Sequence, residues 1–180
     1  LLTADGLWTD KPQVNFLTAT FDSNDGKADP IRLAARTSRV FLGLRIDCLQ
    51  CHNDFLGNVN LGEESALREG MQHDFHQLAA FFTSARTNGL QGVRDGEVDY
   101  TYKYLNDDEE TDVQAGVPFL PDLLPEKGKP RARLAAWVTH PENIQAARAT
   151  VSHVWALMFG RPMGEAVDNL PLDEPCHPMM

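Results

Sequence analysis

Cys48-Leu49-Gln50-Cys51-His52 is the stretch on which the reading of this chain turns. Two thiols spaced by two residues can add across the two vinyl groups of a haem, and a His that follows at once is then placed to bind the iron; C-x-x-C-H is the signature of that attachment. The expectation is one covalent haem c, with Cys48 and Cys51 as thioether ligands and His52 as the proximal iron ligand. A bare C-x-x-C leaves thioredoxin-type redox chemistry open, but that motif opens a helix after a strand, and here an apolar helical pattern precedes it. Zinc wants four ligands; His73 and His76, sharing a helix face, could join Cys48 and Cys51 as such a set.

Working outward, Asp29-Pro30 is a helix start, a capping carboxylate followed by a residue pre-set for the first turn. The apolar run from Ile31 to Leu44 then reads as a helix that continues into Cys48. A Gly, Asn and Glu loop follows Asn53. A second helix is expected from about Gln72 to Asn88, with Phe75, Leu78, Ala79 and Phe82 on one face and Gly89 as a left-handed cap. Between Gly92 and Tyr104 the period shifts to alternation, with Val98, Tyr100, Tyr102 and Tyr104 on one side and Asp95-Gly96 as a turn, which predicts a small hairpin. Asp22 to Gly26 is read as a turn, because its glycine falls one position early for a calcium loop.

The acidic run Asn106 to Asp112 and the proline-punctuated Pro118 to Pro130 mark the best internal boundary, giving residues 1–114 and 115–180 as two regions. Beyond it, Pro130 opens a helix through Leu134 and Trp137. Pro141-Glu142-Asn143 opens another that ends at Gly160, with Ile144, Ala147, Val151, Val154, Trp155 and Met158 close to one stripe. The fold class expected is mainly α, an irregular helical cytochrome-like module with a small β-hairpin insertion.

Sixteen Lys and Arg against 26 Asp and Glu give a net charge of −10, which disfavours a phosphate-backbone partner, so nucleic acid is not expected. No stretch approaches the ~20 apolar residues of a membrane helix, and the start lacks the basic and apolar regions of an export signal. The absent initiator Met and the Pro-rich end suggest a processed protein or a piece of a longer one. Three cysteines do not make a disulfide framework, and Cys176 is read as an isolated thiol.

A low-spin carrier needs a sixth iron ligand, Met or His as a rule. His76, beside the apolar face of its helix, is the first candidate and Met71 the alternative; His73 lies on the same approach. Met158 and Met163 read as core and loop, Met179 and Met180 as terminal, and His140 and His177 as turn residues before proline. Trp8, Trp137, Trp155, Phe55, Phe81 and Phe82 are the large groups available to line a haem crevice.

Leu33-Ala34-Ala35-Arg36, Phe41-Leu42-Gly43, Cys48 to His52 and Asp74 to Phe82 together resemble the planctomycete-type cytochrome c-like domain of large secreted bacterial proteins. Arg131 to Trp137, Pro141-Glu142-Asn143, Ala147-Arg148, Trp155, Phe159-Gly160-Arg161, Asp168-Asn169 and His177-Pro178 are similar to the domain of unknown function that commonly follows it. The resemblance implies a haem-binding module of an exported protein, periplasmic or extracellular, without a defined reaction. Two departures stand out: the chain ends where the second domain would continue, and His153 stands where the pattern has Arg.

Three functions follow as expectations. The first is an electron-transfer module whose acidic surface steers a basic redox partner. The second is a haem enzyme acting on a small oxidant with help from Arg36, Arg39 or His153. The third is an envelope interaction or assembly protein, homo- or hetero-oligomeric, with a structural haem. The carrier reading is preferred over the enzyme, since nothing in the sequence sets Arg36, Arg39 or His153 at a distal site; hydrolase and nucleotide-binding readings have no signature behind them.

Overall fold

In the computed structural model, residues 1–21, 26–63, 66–87, 89–96 and 99–172 are described. Pro12–Val14 forms a 3-10 turn that leads into α1 (Asn15–Thr18), and α2 follows at Pro30–Thr37. Asp29 caps α2, its carboxylate accepting from the Arg32 N–H at 3.0 Å, with Pro30 at the first helical position. The helix then loosens into a π-turn, Ser38–Leu42, and stops at Gly43, whose φ of 62° needs a residue without Cβ. The expected run into Cys48 is therefore broken at Gly43, and the motif sits on a separate 3-10 turn, Asp47–Gln50.

Two strands, β1 (Asn60–Glu63) and β2 (Ala66–Glu69), pair antiparallel in the segment read from sequence as loop. Next, α3 covers Gln72–Ala80 only. The expected extension to Asn88 fails because Ala85–Thr87 is strand β3, paired with β4 (Val93–Asp95). Val93 exchanges backbone hydrogen bonds with Gly6, and Ala28 N–H donates to Ala85 C=O, so long-range pairing wins over local helix propensity. Strand β5 (Thr101–Tyr102) pairs with β6 (Thr111–Asp112) inside the acidic run. The expected hairpin turning at Asp95-Gly96 is thus replaced by two separate pairings; Val98 lies outside the described residues.

Among the described residues, with 40% helix and 12% strand in three two-stranded sheets, the fold is mixed α/β, which corrects the mainly α expectation. Alternating short strands were hidden because each is only two to four residues long and its partner is set by tertiary contacts.

The last two helices begin and end where the sequence places them, α4 at Pro130–Val138 and α5 at Ile144–Phe159, the latter capped by Gly160 at φ 69°. A single core joins α2, α3 and α4, with Leu33, Phe75, Leu78 and Phe82 continuous with Phe119, Leu134 and Trp137. Trp137 packs its ring 4.8 Å from Phe119 and donates its indole N–H to Leu120 C=O. Arg131, fully buried, donates to Asp95 at 2.6 Å and to the carbonyls of Leu2 and Ala4.

Helix α5 is inside out. Gln145, Arg148, Ala149 and Ser152 face inward, while Ile144, Val151, Val154, Leu157, Met158 and Phe159 are exposed. The inward polar side chains bond to the strap that follows, residues 161–172: Gln145 and Arg148 donate to the carbonyls of Leu170 and Pro171, and Ser152 to that of Val167. No helix among the described residues is long and apolar enough to cross a membrane.

Candidate functional site

The Cys48–His52 loop is anchored by its middle and open at its ends. Leu49 is fully buried, whereas Cys48, Cys51 and His52 are exposed and both cysteines are free thiols. Gly70 lets β2 pass over the loop, since a Cβ there would stand 2.8 Å from the Leu49 side chain. Asp54, buried, completes the exit: its carboxylate accepts from Leu56 N–H at 3.1 Å and Val59 N–H at 2.6 Å, and its own N–H donates to Gly70 C=O.

The carbonyl of Gln50, between the two cysteines, is the hub. Three side chains donate to it: Gln72 Nε2 at 3.0 Å, Tyr102 Oη at 3.1 Å and His76 Nε2 at 3.1 Å. A carbonyl only accepts, so His76 carries its proton on Nε2, and Nδ1 accepts from the Tyr100 hydroxyl at 2.8 Å. Its ring stacks on Tyr102 at 3.4 Å, with Tyr104 edge-on at 5.7 Å and Phe75 edge-on at 5.6 Å. The three tyrosines that sequence alternation placed on one face do gather here, around His76. Burial pushes the His76 pKa below its ordinary 6.5, outweighing the Gln50 carbonyl, so the ring is neutral. Burial, reinforced by the neighbouring tyrosines, pushes Tyr100 well above 10.

His76 is thus fully committed to core hydrogen bonds. Gln72 ties further pieces together, its backbone N–H donating to Asn53 Oδ1 at 2.7 Å and its Oε1 accepting from Leu105 N–H at 2.9 Å. These bonds tie the start of α3 to the loop and to Leu105. Met71, Leu105, Phe55 and Leu56 are all exposed, by 36%, 55%, 72% and 84%.

His52 has a defined tautomer. Its Nδ1 lies 2.7 Å from the Asn53 carbonyl and must donate, which leaves the lone pair on Nε2 of an exposed ring. This is the arrangement that second-shell carbonyls impose on metal-binding imidazoles. Desolvation and then the Asp54 carboxylate push the Cys48 thiol above 9.0, opposite to the depressed thiol of thioredoxin-type motifs. Among the described residues no three His, Cys, Asp or Glu are grouped to hold a metal ion, so Cys48, Cys51, His73 and His76 do not assemble a zinc site. The reason is His76, which turns both nitrogens into the core. Two exposed thiols and one imidazole with a free Nε2 are the donor set that covalent haem attachment calls for.

The other sequence candidates scatter. His73 is half exposed beside Asp74, and His140 closes a turn by accepting from Glu142 N–H. Phe81, Phe82 and Trp137 are core, Trp8 is half exposed, and Trp155 packs on Phe159 within α5 at 4.2 Å. Met158 is exposed on α5 and Met163 lies half-buried in the strap. Cys176, His177, Met179 and Met180 lie outside the described residues, as do residues 22–25, read from sequence as a turn.

A network that no local pattern announces links the loop to the far end of the chain. Asp168 accepts from Arg45 Nη2 at 2.6 Å and from Arg39 Nη1 at 3.0 Å, and Arg39 in turn grips Asp47, the neighbour of Cys48, at 2.8 Å. Burial raises the Asp168 carboxyl pKa, but the hydrogen bonds and charges of Arg45 and Arg39 together outweigh it and hold the group below the ordinary value. Leu170 N–H donates to Gly43 C=O at 2.7 Å alongside.

Compared with known proteins, residues 130–180 match the family model PSD1, described as a protein of unknown function (DUF1553). No curated protein and no solved structure matches the chain. The match supports the partner half of the resemblance, and the Cys48–His52 loop lies outside it.

Proposed function

We propose that the Cys48–His52 loop is the attachment site for one covalent haem c and that the chain serves as an exported module passing single electrons. The observation that carries this reading is the tautomer of His52, whose Nδ1–H is taken by the Asn53 carbonyl so that Nε2 is left as a solvent-facing donor beside two free thiols. A bound haem supplies a reversible one-electron couple. The chain's own residues do the rest. The Gln50 carbonyl, gripped by His76, Gln72 and Tyr102, fixes the spacing of the thiols. Phe55, Leu56, Met71 and Leu105 are exposed apolar side chains that would be available to a macrocycle.

With His76 committed as an anchor, Met71, exposed just before α3, would be the remaining candidate to bind the iron beside His52. The net charge of −10 suits a basic redox partner, and the resemblance supports an exported, envelope location for the module. A second reading, an assembly protein with a structural haem, draws on the exposed apolar stripe of α5.

The test is a pyridine haemochrome assay on protein produced with a haem-attachment system, followed by a redox titration. One haem per chain, lost in Cys48→Ser and Cys51→Ser, is expected. Matured protein without haem would overturn the proposal, and haem without a reversible couple would leave only the structural role.

A further inference from the structure

Arg36, Arg39 and His153 lie 117 positions apart at their extremes, on α2, the π-turn and α5, yet all three line one open groove of about 640 Å³. Asp47 and Asp168 form part of its wall and Ala35, Val40 and Val167 the apolar remainder. That volume falls in the range of small-molecule sites.

The charges decide what such a groove would take. Arg39 bridges Asp47 and Asp168, and Arg45 takes the other oxygen of Asp168, so both carboxylates are satisfied. Arg36 has no carboxylate partner among the described residues. One of its nitrogens donates to the Phe16 carbonyl at 3.0 Å, and the guanidinium stands 5.8 Å from the Phe16 ring. Three guanidinium groups against two carboxylates leave one uncompensated cation here, on a chain whose net charge is −10. Opposite, His153 donates Nδ1–H to Ala149 C=O at 2.7 Å, which leaves Nε2 as the ring's free nitrogen, able to take up a proton and donate it to an oxyanion.

We infer that this groove is a binding site for a small organic carboxylate with an apolar body, held by Arg36 and His153, with Ala35, Val40 and Val167 against its hydrocarbon part. The Arg39 pairs act as the rigid wall rather than the ligand's partner. The site is separate from the Cys48–His52 loop and does not depend on haem.

Benzoate, its neutral isostere benzamide, and inorganic phosphate are the probes, titrated into the full chain at low ionic strength by calorimetry and amide NMR shifts. Benzoate is expected to saturate one site in the low-millimolar range, with benzamide and phosphate each at least tenfold weaker. Arg36→Gln is expected to weaken benzoate about tenfold, and His153→Arg, which makes the second cation permanent, to tighten it several-fold. Since Arg36→Gln also loses the Phe16 bond, Val40→Asp serves as a second variant: it sets a carboxylate in the groove at an exposed position and is expected to weaken benzoate to a similar degree. Equal binding of benzamide removes the charge argument, and equal binding of phosphate removes the apolar one. Benzoate binding untouched by Arg36→Gln and Val40→Asp puts the ligand elsewhere. Any of these results overturns the inference.

Discussion

Replacing His76 with Phe tests whether the ring is an anchor of the Cys48–Cys51 loop. Phe keeps the volume and the stacking on Tyr102 but deletes the donor to Gln50 C=O and the acceptor of the Tyr100 hydroxyl. Each such bond contributes about 0.5–1.5 kcal/mol net, and a half-buried hydroxyl left unpaired adds to the loss, so about 2–3 kcal/mol at pH 8 is expected. Gln50 keeps Gln72 and Tyr102, which caps the loss. The pH dependence is the sharper part. The folded His76 pKa lies below 6.5, so between that value and 6.5 the unfolded chain binds the extra proton and the native protein loses stability as pH falls. Tyr100 and Tyr104, whose hydroxyls burial pushes up, and the Gln50 carbonyl carry no charge beside the ring over this range. The Phe variant has no such proton to bind, so its deficit should shrink between pH 8 and pH 5. Urea unfolding at pH 8 and pH 5, followed by tryptophan fluorescence, measures both numbers. A deficit below about 0.5 kcal/mol at pH 8, or one equal at the two pH values, would refute the anchoring role.

Two further outcomes are expected. In a Cys51→Ser background, alkylation of Cys48 followed against pH should show a midpoint above 9.0, because desolvation and Asp54 disfavour the thiolate; a midpoint below that would reverse the argument against thioredoxin-type chemistry. Asp168→Asn should cost about 1 kcal/mol, since Arg39 and Arg45 are 40% and 48% exposed and their pairs are partly screened, and the cost should fall in high salt. The wild-type contribution of Asp168 is complete above its ordinary 3.8 and is lost as pH drops through the lower folded value, so the variant and parent should converge in strong acid. A salt-independent difference would point to packing instead.

What the sequence discloses here is what neighbouring residues decide among themselves. Asp29-Pro30, Pro130 and Gly160 set helix ends through capping and fixed dihedrals, and each holds in three dimensions. The end of α3 depends instead on Ala85 pairing with Asp95 and receiving the Ala28 N–H, contacts with no local trace. On α5 the periodic stripe is real, but a period identifies a face without saying which side it turns to; the inward side is chosen by carbonyls of the 167–171 strap. Likewise Cys48, Cys51 and His52 announce themselves by spacing, while His76 resembles a ligand until its partners, 26 and 24 positions away, account for both nitrogens. The Arg39–Asp168 pair, 129 positions apart, leaves no pattern at all.

Arg131 has a bearing on how the chain comes apart. It opens the segment after the proline-rich connector, yet its guanidinium is threaded into carbonyls of residues 2 and 4 and into Asp95. The exposed Glu126 to Lys129 stretch just before it is an accessible place for trypsin to nick. A cut there would sever the backbone without freeing either fragment, and the two pieces should travel as one particle until a denaturant melts the core they share.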